Sequence, residues 1–303
     1  MRIARTKAVR IARGLIERTF NIRVSRNDVR MFVTPGHFYS PIANPAECDR
    51  HIAKIDAAGV PDDLPGIGLT RTEMVETWHA LLPFLTSNPF TATKVARYRY
   101  AFDNPFYSWG DGSVLHAMLR RYRPRRIIEI GCGWSSACML DTIEHYLDGN
   151  CSITFIDPYP ATLRYLMGTS TAQILEKSVQ DVAVEIFSAL AAGDVLFIDS
   201  SHVLRTGSDV CFELFEILPR LSAGVLVHFH DMFWPFEYPR AWAVHENRSW
   251  NELYAVRAFL TDNLRWRIVF FNDYFAKLER SLVETTFPDF LRNSGGGLWI
   301  QRR

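Results

Sequence analysis

Polar residues recur at one kind of place in this chain, the position or two that follow a short apolar run. Asp157 follows Ile153-Thr154-Phe155-Ile156. Gln180 and Asp181 follow a weaker run at 173–177. Asp199, with His202 three residues on, follows Leu196-Phe197-Ile198, and His230 and Asp231 follow Val227-His228-Phe229. Ahead of them all, Glu129-Ile130-Gly131-Cys132-Gly133 ends an isoleucine-rich run in two glycines one residue apart. Such glycines permit positive φ and let a ligand approach the backbone, and a helix beginning behind them aims its free N–H groups at that ligand. Asp157, about 25 residues beyond the glycines, is placed to accept both hydroxyls of a ribose. One polar residue after a strand means little. Recurrence after successive strands means more, because a core has no use for polar groups there.

Those residues converge only if the apolar runs are neighbouring parallel strands. From residue 126 onward, strand and helix patterns alternate, with strands expected at 126–130, 152–156, 173–177, 194–198, 224–229, 266–271 and 297–301. The alternation predicts an α/β fold, a seven-stranded, mainly parallel sheet with helices on both faces. No convincing crossover helix separates the last two runs, and Asn293-Ser294-Gly295-Gly296-Gly297 precedes the final one, so an antiparallel closing pair is expected. The division expected is a smaller, mostly helical N-terminal region over 1–104, packed on the site as a lid, and a main domain over 105–303. Within the former, Met74, Trp78, Leu81 and Leu82 share one face of a helix over 71–82, capped by Thr70 or Thr72 and ended or kinked by Pro83. The aromatic-rich stretch from Tyr98 to Gly112 must be covered, as an interface plug or a pocket wall; an amphipathic helix follows over 113–122.

Charge is nearly balanced, 34 basic against 33 acidic residues, which argues against a nucleic-acid partner. No apolar run reaches the ~18 residues of a membrane span. The one local bias is a basic N-terminal stretch in which Ala4, Ala8, Ile11 and Leu15 fall at helical spacing; it reads as a helix docked on its own protein, with membrane-surface contact as the alternative. Five cysteines without metal-type spacing fit reduced thiols in a cytoplasmic protein. Cys132 has no suitably spaced base and reads as a small residue fitting its turn.

Two kinds of nucleoside cofactor compete for the glycine turn. A dinucleotide asks for G-x-G-x-x-G, but the sixth position is Ser136. Glu129 would be ill placed beside a pyrophosphate and suits a cofactor bearing an ammonium and a sulfonium. Glu129-Ile130-Gly131-Cys132-Gly133 resembles the E-x-G-x-G motif of class I S-adenosylmethionine-dependent methyltransferases, whose Rossmann-like sheet also closes with an antiparallel pair. Phe197-Ile198-Asp199-Ser200-Ser201-His202 with Val227-His228-Phe229-His230-Asp231 resembles a bacterial small-molecule branch that includes macrolide-sugar O-methyltransferases and cephalosporin-hydroxylase-like proteins. Gly36-His37-Phe38-Tyr39-Ser40-Pro41-Ile42 and the run from Met232 to Pro239 are similar to a bacterial family of largely uncharacterised methyltransferases.

The resemblance implies that Glu129, Gly131 and Gly133 hold the methionine end of S-adenosylmethionine, Asp157 the ribose, and Gln180 and Asp181 the adenine edge. It further implies that Asp199, beside the cofactor, joins His230 and Asp231 around a divalent ion, with His202 as general base for O-methylation of a small-molecule acceptor and Asp199 and Asp231 completing the catalytic group. A histidine near its reference pKa suits that task. His230 stands where those relatives carry a carboxylate, which favours Mn²⁺, Fe²⁺ or Zn²⁺ over Mg²⁺, or no metal at all. The other readings are that His202 caps the following helix, that Asp231 holds the next loop, and that His228 is a hydrogen-bonded core histidine. The run from Met232 to Pro239 is expected to wall the acceptor pocket, with His37, Tyr39 and Tyr107 closing it. At the level of function the alternatives are a nucleotide-binding Rossmann protein, as a dehydrogenase or a non-catalytic cofactor-binding module, and a hydroxylase-like relative.

Overall fold

The computed structural model describes residues 32–168, 170 and 172–303; the basic N-terminal stretch lies outside them. Three helices, α1 (Pro45–Ala58), α2 (Arg71–Thr86) and α3 (Trp109–Tyr122), precede the first strand. The alternating part then runs β1 (Arg126–Ile130), α4 (Trp134–Tyr146), β2 (Ser152–Ile156), α5 (Ala161–Met167), β3 (Gln173–Leu175), α6 (Glu185–Ser188) and β4 (Val195–Ile198). After it come α7 (Asp209–Phe212), β5 (Leu226–Phe229), α8 (Glu252–Leu260), β6 (Trp266–Phe271), α9 (Asn272–Leu278), α10 (Arg280–Thr286) and β7 (Leu298–Arg302).

The sheet order is β3-β2-β1-β4-β5-β7-β6. The first five strands in the row pair in parallel, and β7 runs antiparallel between β5 and β6, the expected closing pair. Strand order reverses at β1, so the loops leaving β1 and β4 diverge and open a crevice at their carboxyl ends. Register makes the site. Ile130 is level with Ile156 and Ile198, and Ile198 with Phe229, so Gly131, Asp157, Asp199 and His230 occupy one rung just past the strands. Gly131 N donates to Ile156 O, Asp199 N to Ile130 O and His230 N to Ile198 O, which carries the ladder onto that rung.

Two expectations are corrected. Helix α2 continues through Pro83 to Thr86. A proline inside a helix costs about 3 kcal/mol, but extending the helix buries Leu85 completely, worth roughly 1.5–3 kcal/mol. The Thr86 and Ser87 hydroxyls also donate back to the carbonyls of Leu82 and Pro83. Between β6 and β7 lie two helices, α9 and α10, where none was expected. Each is only seven residues long, with the break at Glu279, too short for periodicity to reveal. Met74, Trp78, Leu81 and Leu85 of α2 belong to the same core as the sheet, and Trp78 stacks on Phe270 and meets the edge of Phe290. Among the described residues no helix is long and apolar enough to cross a membrane.

The aromatic stretch before β1 is pinned from behind. Buried Asp141 of α4 accepts hydrogen bonds from the backbone N–H groups of Arg99 and Tyr100, and from the Arg99 guanidinium, which also grips Glu144. Asp141, Glu144 and His145 have ligand-like spacing, but the guanidinium already spans the two carboxylates. Tyr107, at the end of this stretch, is buried and reaches the cleft wall, so the segment is both plug and wall.

Candidate active site

A cleft of about 1030 Å³ opens over the carboxyl ends of β1, β2, β4 and β5. Gly131, Gly133, Asp157, Gln180, Asp199, His202, His230 and Asp231 all line it. Asp181 does not: it lies on a separate depression beside Arg126 and Thr154, because the 3₁₀ turn Val179–Asp181 points successive side chains in different directions. Glu129 is also off the cleft wall. It is wholly buried one residue behind the rung, accepts a 2.5 Å hydrogen bond from Ser135 Oγ, and leaves Oε2 without a partner. Burial pushes its carboxyl up to about 8, against the opposing hydrogen bond from Ser135.

That shift has a sign. The native protein holds a proton on Glu129 that the unfolded chain releases near 4.5, so stability falls as pH rises from there through about 8. Glu129→Gln removes the ionisation and keeps the Ser135 contact. Its melting temperature is expected to exceed the parent's by several degrees at pH 8 and to match it near pH 4.5; equal curves at both pH values would show that the carboxyl is not strained.

The glycine turn is shaped by its neighbours. Gly131 has φ 75°, and a Cβ there would lie 1.8 Å from the carbonyl oxygen of Asp199. At Gly133 a Cβ would meet nothing within 4 Å, so that face is open to the cleft. The Asp157 carboxylate accepts from Cys132 N (3.0 Å) and Tyr159 N (2.6 Å), which fixes it at the mouth of the turn with lone pairs to spare. These residues fit a nucleoside cofactor with a cationic tail: a fixed ribose-accepting carboxylate, an open glycine face and a buried acid with a free oxygen. Cys132 is a thiol with burial holding its pKa well up, as its reading as a small turn residue requires.

At the other end of the cleft, two histidines and two aspartates interlock. His202 Nε2 lies 3.4 Å from Asp199 Oδ1 and 3.3 Å from Asp231 Oδ2; His230 Nδ1 lies 3.3 Å from Asp199 Oδ1 and 3.7 Å from Asp231 Oδ1. Two acids the sequence analysis passed over stand behind them. Glu252, at the start of α8, takes His202 Nδ1 at 2.8 Å, and Asp111, in the first turn of α3, faces His230 Nε2 at 3.3 Å. Both are acidic residues in a first helical turn, where a favourable helix dipole already accounts for them. Gly110 and Gly112 around Asp111 were the available signal: a Cβ at either would collide, with Ser294 backbone and with the Tyr100 hydroxyl.

His202 is held in the left-handed region at φ 60°, and Asp231 at φ 58°. Side chains other than glycine stay there only when surroundings over-determine them. For His202 they do: its carbonyl accepts from Asn251 N and Glu252 N at the head of α8, and its ring lies 4.4 Å from that of Trp250. Its carbonyl thus caps α8, while its ring faces the cleft.

The charges settle together. Burial alone would lower His202, but Asp199 and Glu252 outweigh it and raise the imidazole to about 10. Burial likewise opposes, and Asp231, Asp199 and Asp111 override, so His230 is raised well above its ordinary value. Burial tends to raise Asp199, yet the two histidines hold it well below the usual carboxylate range. The expected near-reference histidine is therefore replaced by an imidazolium flanked by carboxylates. His228, by contrast, is in the core as expected but not hydrogen-bonded: neither ring nitrogen has a partner, the ring stacks on Phe197 at 4.1 Å, and burial keeps it neutral.

Asp199, His230 and Asp231 bring ligand atoms within 4.8 Å of one another, and buried His230 Nδ1 has no hydrogen-bond partner, so this donor set fits a divalent ion. The run from Met232 to Pro239 is not the cleft wall: Met232, Trp234, Phe236 and Tyr238 are core residues, Trp234 and Phe236 packing on Phe271. Its place is taken by Trp242, Arg248 and Trp250. His37 and Tyr39 lie with tilted rings 5.7 Å apart outside the cleft lining, and Tyr39 is exposed.

The strand order matches a dinucleotide-binding sheet only as far as β5; the antiparallel insertion of β7 is where it departs. Residues 128–232 match the family model described as a methyltransferase domain. The fold is that of a class I S-adenosylmethionine-dependent methyltransferase. Within that class the chain belongs to one family with an uncharacterised protein of Archaeoglobus fulgidus, 30% identical over 167 residues that cover 54% of this chain and 76% of that one. Among solved structures it is similar to the SAH-bound Podospora anserina methyltransferase PaMTH1 (14% identity, 85% of this chain and 96% of that one, TM-score 0.40). It is also similar to the O-methyltransferase TomG from Streptomyces achromogenes, involved in tomaymycin synthesis and in complex with SAM (12% identity, 86% and 98%, TM-score 0.41).

Proposed function

We propose that the protein transfers the methyl group of S-adenosylmethionine to a hydroxyl oxygen of a small molecule, with His202 as the general base. The observation that carries this reading is the position of His202 Nε2, between Asp199 and Asp231 on the cleft wall, with Nδ1 bonded to buried Glu252. The cofactor supplies an electrophilic methyl on a sulfonium. This chain's residues hold and orient: Asp157 takes the ribose, Gly131 and Gly133 admit the methionine end, Glu129 behind them answers its ammonium by giving up the proton that burial otherwise retains, and Gln180 lies at the adenine edge, its amide anchored on Gly207 O. Asp181 drops out of that set.

In-line transfer needs the acceptor oxygen held close to the methyl and relieved of its proton. Glu252 fixes the tautomer and direction of His202, so that Nε2 is the atom that takes the proton. Asp199 and Asp231 then stabilise the resulting imidazolium. The same electrostatics keep His202 protonated at neutral pH, so the base form grows with alkalinity. In chelated protein, kcat/KM is expected to rise with pH toward about 10, and Glu252→Gln to move that rise to lower pH. A flat profile in both would remove His202 from the base role. Asp199, His230 and Asp231 are the residues that would hold a divalent ion, whose chemistry would be to acidify an acceptor hydroxyl.

Calorimetry tests the cofactor half. S-adenosylhomocysteine is expected to bind and NAD not to, and Glu129→Gln to weaken the former about tenfold. Binding of NAD without response to S-adenosylhomocysteine would overturn the proposal.

A further inference from the structure

The acceptor end of the cleft contains a cation that methyl transfer does not use. Arg248 lies between two indoles, its guanidinium carbon 3.9 Å from the ring centroid of Trp242 and 4.5 Å from that of Trp250. Glu246 accepts from its Nε at 2.6 Å; among the described residues its two terminal nitrogens donate to nothing. All three side chains line the cleft, and the same three border a second hollow of about 210 Å³ next to it.

The backbone holds this arrangement under strain. The residues on either side, Asn247 and Ser249, have φ of 48° and 53°, conformations that residues other than glycine rarely adopt. They are tied down: Ser249 Oγ donates to Asn247 Oδ1 and accepts from Ala43 N, while Arg248 N donates to Trp242 O. A surface arginine needs none of this. Two left-handed residues and two tryptophans make sense if the orientation of one guanidinium matters.

Distance then relates it to the chemistry. The His202 ring lies 4.4 Å from Trp250 and the guanidinium carbon 4.5 Å from the same ring, so the two are no more than about 9 Å apart. A single aromatic or sugar ring with its substituents reaches across a separation within that bound. Arg205, on the same cleft, is a further cation; unlike Arg248, which pairs with Glu246 through Nε, it has no ion pair among the described residues. Of the nearby negative charges, Asp199 and Asp231 are balanced by the histidines they flank, and Glu246 engages Arg248 at Nε, away from its two terminal nitrogens.

We propose that Arg248, clamped between Trp242 and Trp250, recognises an oxyanion on the methyl acceptor, which is therefore a small hydroxylated carboxylate or phosphate ester whose ring lies against the indoles. This rests on the methyl-transfer reading for the identity of the ligand, but the anion site itself does not. A planar fork whose two terminal nitrogens are free suits either oxyanion, and the stacking leaves only that edge available.

The test pairs each anion with a neutral counterpart on the same ring. 4-Hydroxybenzoate is titrated against 4-hydroxybenzamide, and 4-hydroxyphenyl phosphate against hydroquinone, with tryptophan fluorescence as readout, with and without S-adenosylhomocysteine. At least one anion is expected to bind tenfold or more tightly than its counterpart, and which series does so separates carboxylate from phosphate. Arg248→Met is expected to erase the preference and Arg248→Lys to keep part of it, with S-adenosylhomocysteine affinity unchanged in both. The proposal fails if no anion outbinds its counterpart in the parent protein, or if Arg248→Met keeps the preference. Failure of S-adenosylhomocysteine to bind would instead strike the methyl-transfer reading, since the anion preference is also read without it.

Discussion

Replacing His202 by alanine is expected to lower kcat by about 10²- to 10⁴-fold, the usual contribution of a positioned general base, while S-adenosylhomocysteine binds within a fewfold of the parent. Its imidazole touches three carboxylates, so the variant also loses a cation that Asp199, Asp231 and Glu252 share. Removing one partner of a buried charge cluster leaves the others uncompensated, so the melting temperature falls too. That loss depends on pH. The folded value of about 10 exceeds the unfolded 6.5, so the stabilisation is complete below pH 6.5 and disappears as pH rises through 10. The parent and His202→Ala melting curves should therefore converge toward alkaline pH. Adding Glu252→Gln should restore part of the stability but none of the rate. Retention of full turnover by the folded single variant would show that another group takes the proton.

Gly131→Ala and Gly133→Ala, two residues apart, are expected to fail differently. At Gly131 the added methyl carbon would fall 1.8 Å from the Asp199 carbonyl, on a backbone with φ 75° that alanine disfavours. The obstacle is backbone, so β1 and β4 must separate where their loops leave the sheet, and a cost above about 4 kcal/mol is expected. In a domain of this size that is a fall of roughly 8 °C or more in melting temperature, or no folded protein. At Gly133, φ is −172°, which any residue adopts, and the methyl meets only the open cleft. Gly133→Ala should melt with the parent and bind S-adenosylhomocysteine at least tenfold more weakly. If both variants keep their stability, the close packing of the two loops is not what holds the switch point.

How far the site was legible depended on the kind of constraint. Residues past a strand end are announced by the end of an apolar run, and Asp157, Asp199, His230 and Asp231 were found that way. Supporting residues carry no such mark. Asp111 and Glu252 begin helices, where acids are common, and their partners are 119 and 50 positions away in the chain. Trp242, Arg248 and Trp250 carry no such mark either: the aromatic run before them has the better wall composition in sequence, but burial takes Met232, Trp234, Phe236 and Tyr238 into the core. Asp181 was misplaced because a 3₁₀ turn, not a strand end, decides where it faces.

Read alone, the chain specifies the number of strands, the antiparallel closure and the residues past β1, β2, β4 and β5 that line the cleft. Each follows from local chemistry: alternating apolar runs, a glycine turn, and an acid one residue beyond its strand. The protonation of the histidine–carboxylate end depends on the folded arrangement. Whether His202 is an ordinary imidazole or one raised to about 10 depends on carboxylates that β4, β5 and α8 bring within 3.4 Å. Electrostatic energy varies with distance and burial, and neither is written in the spacing of residues along the chain.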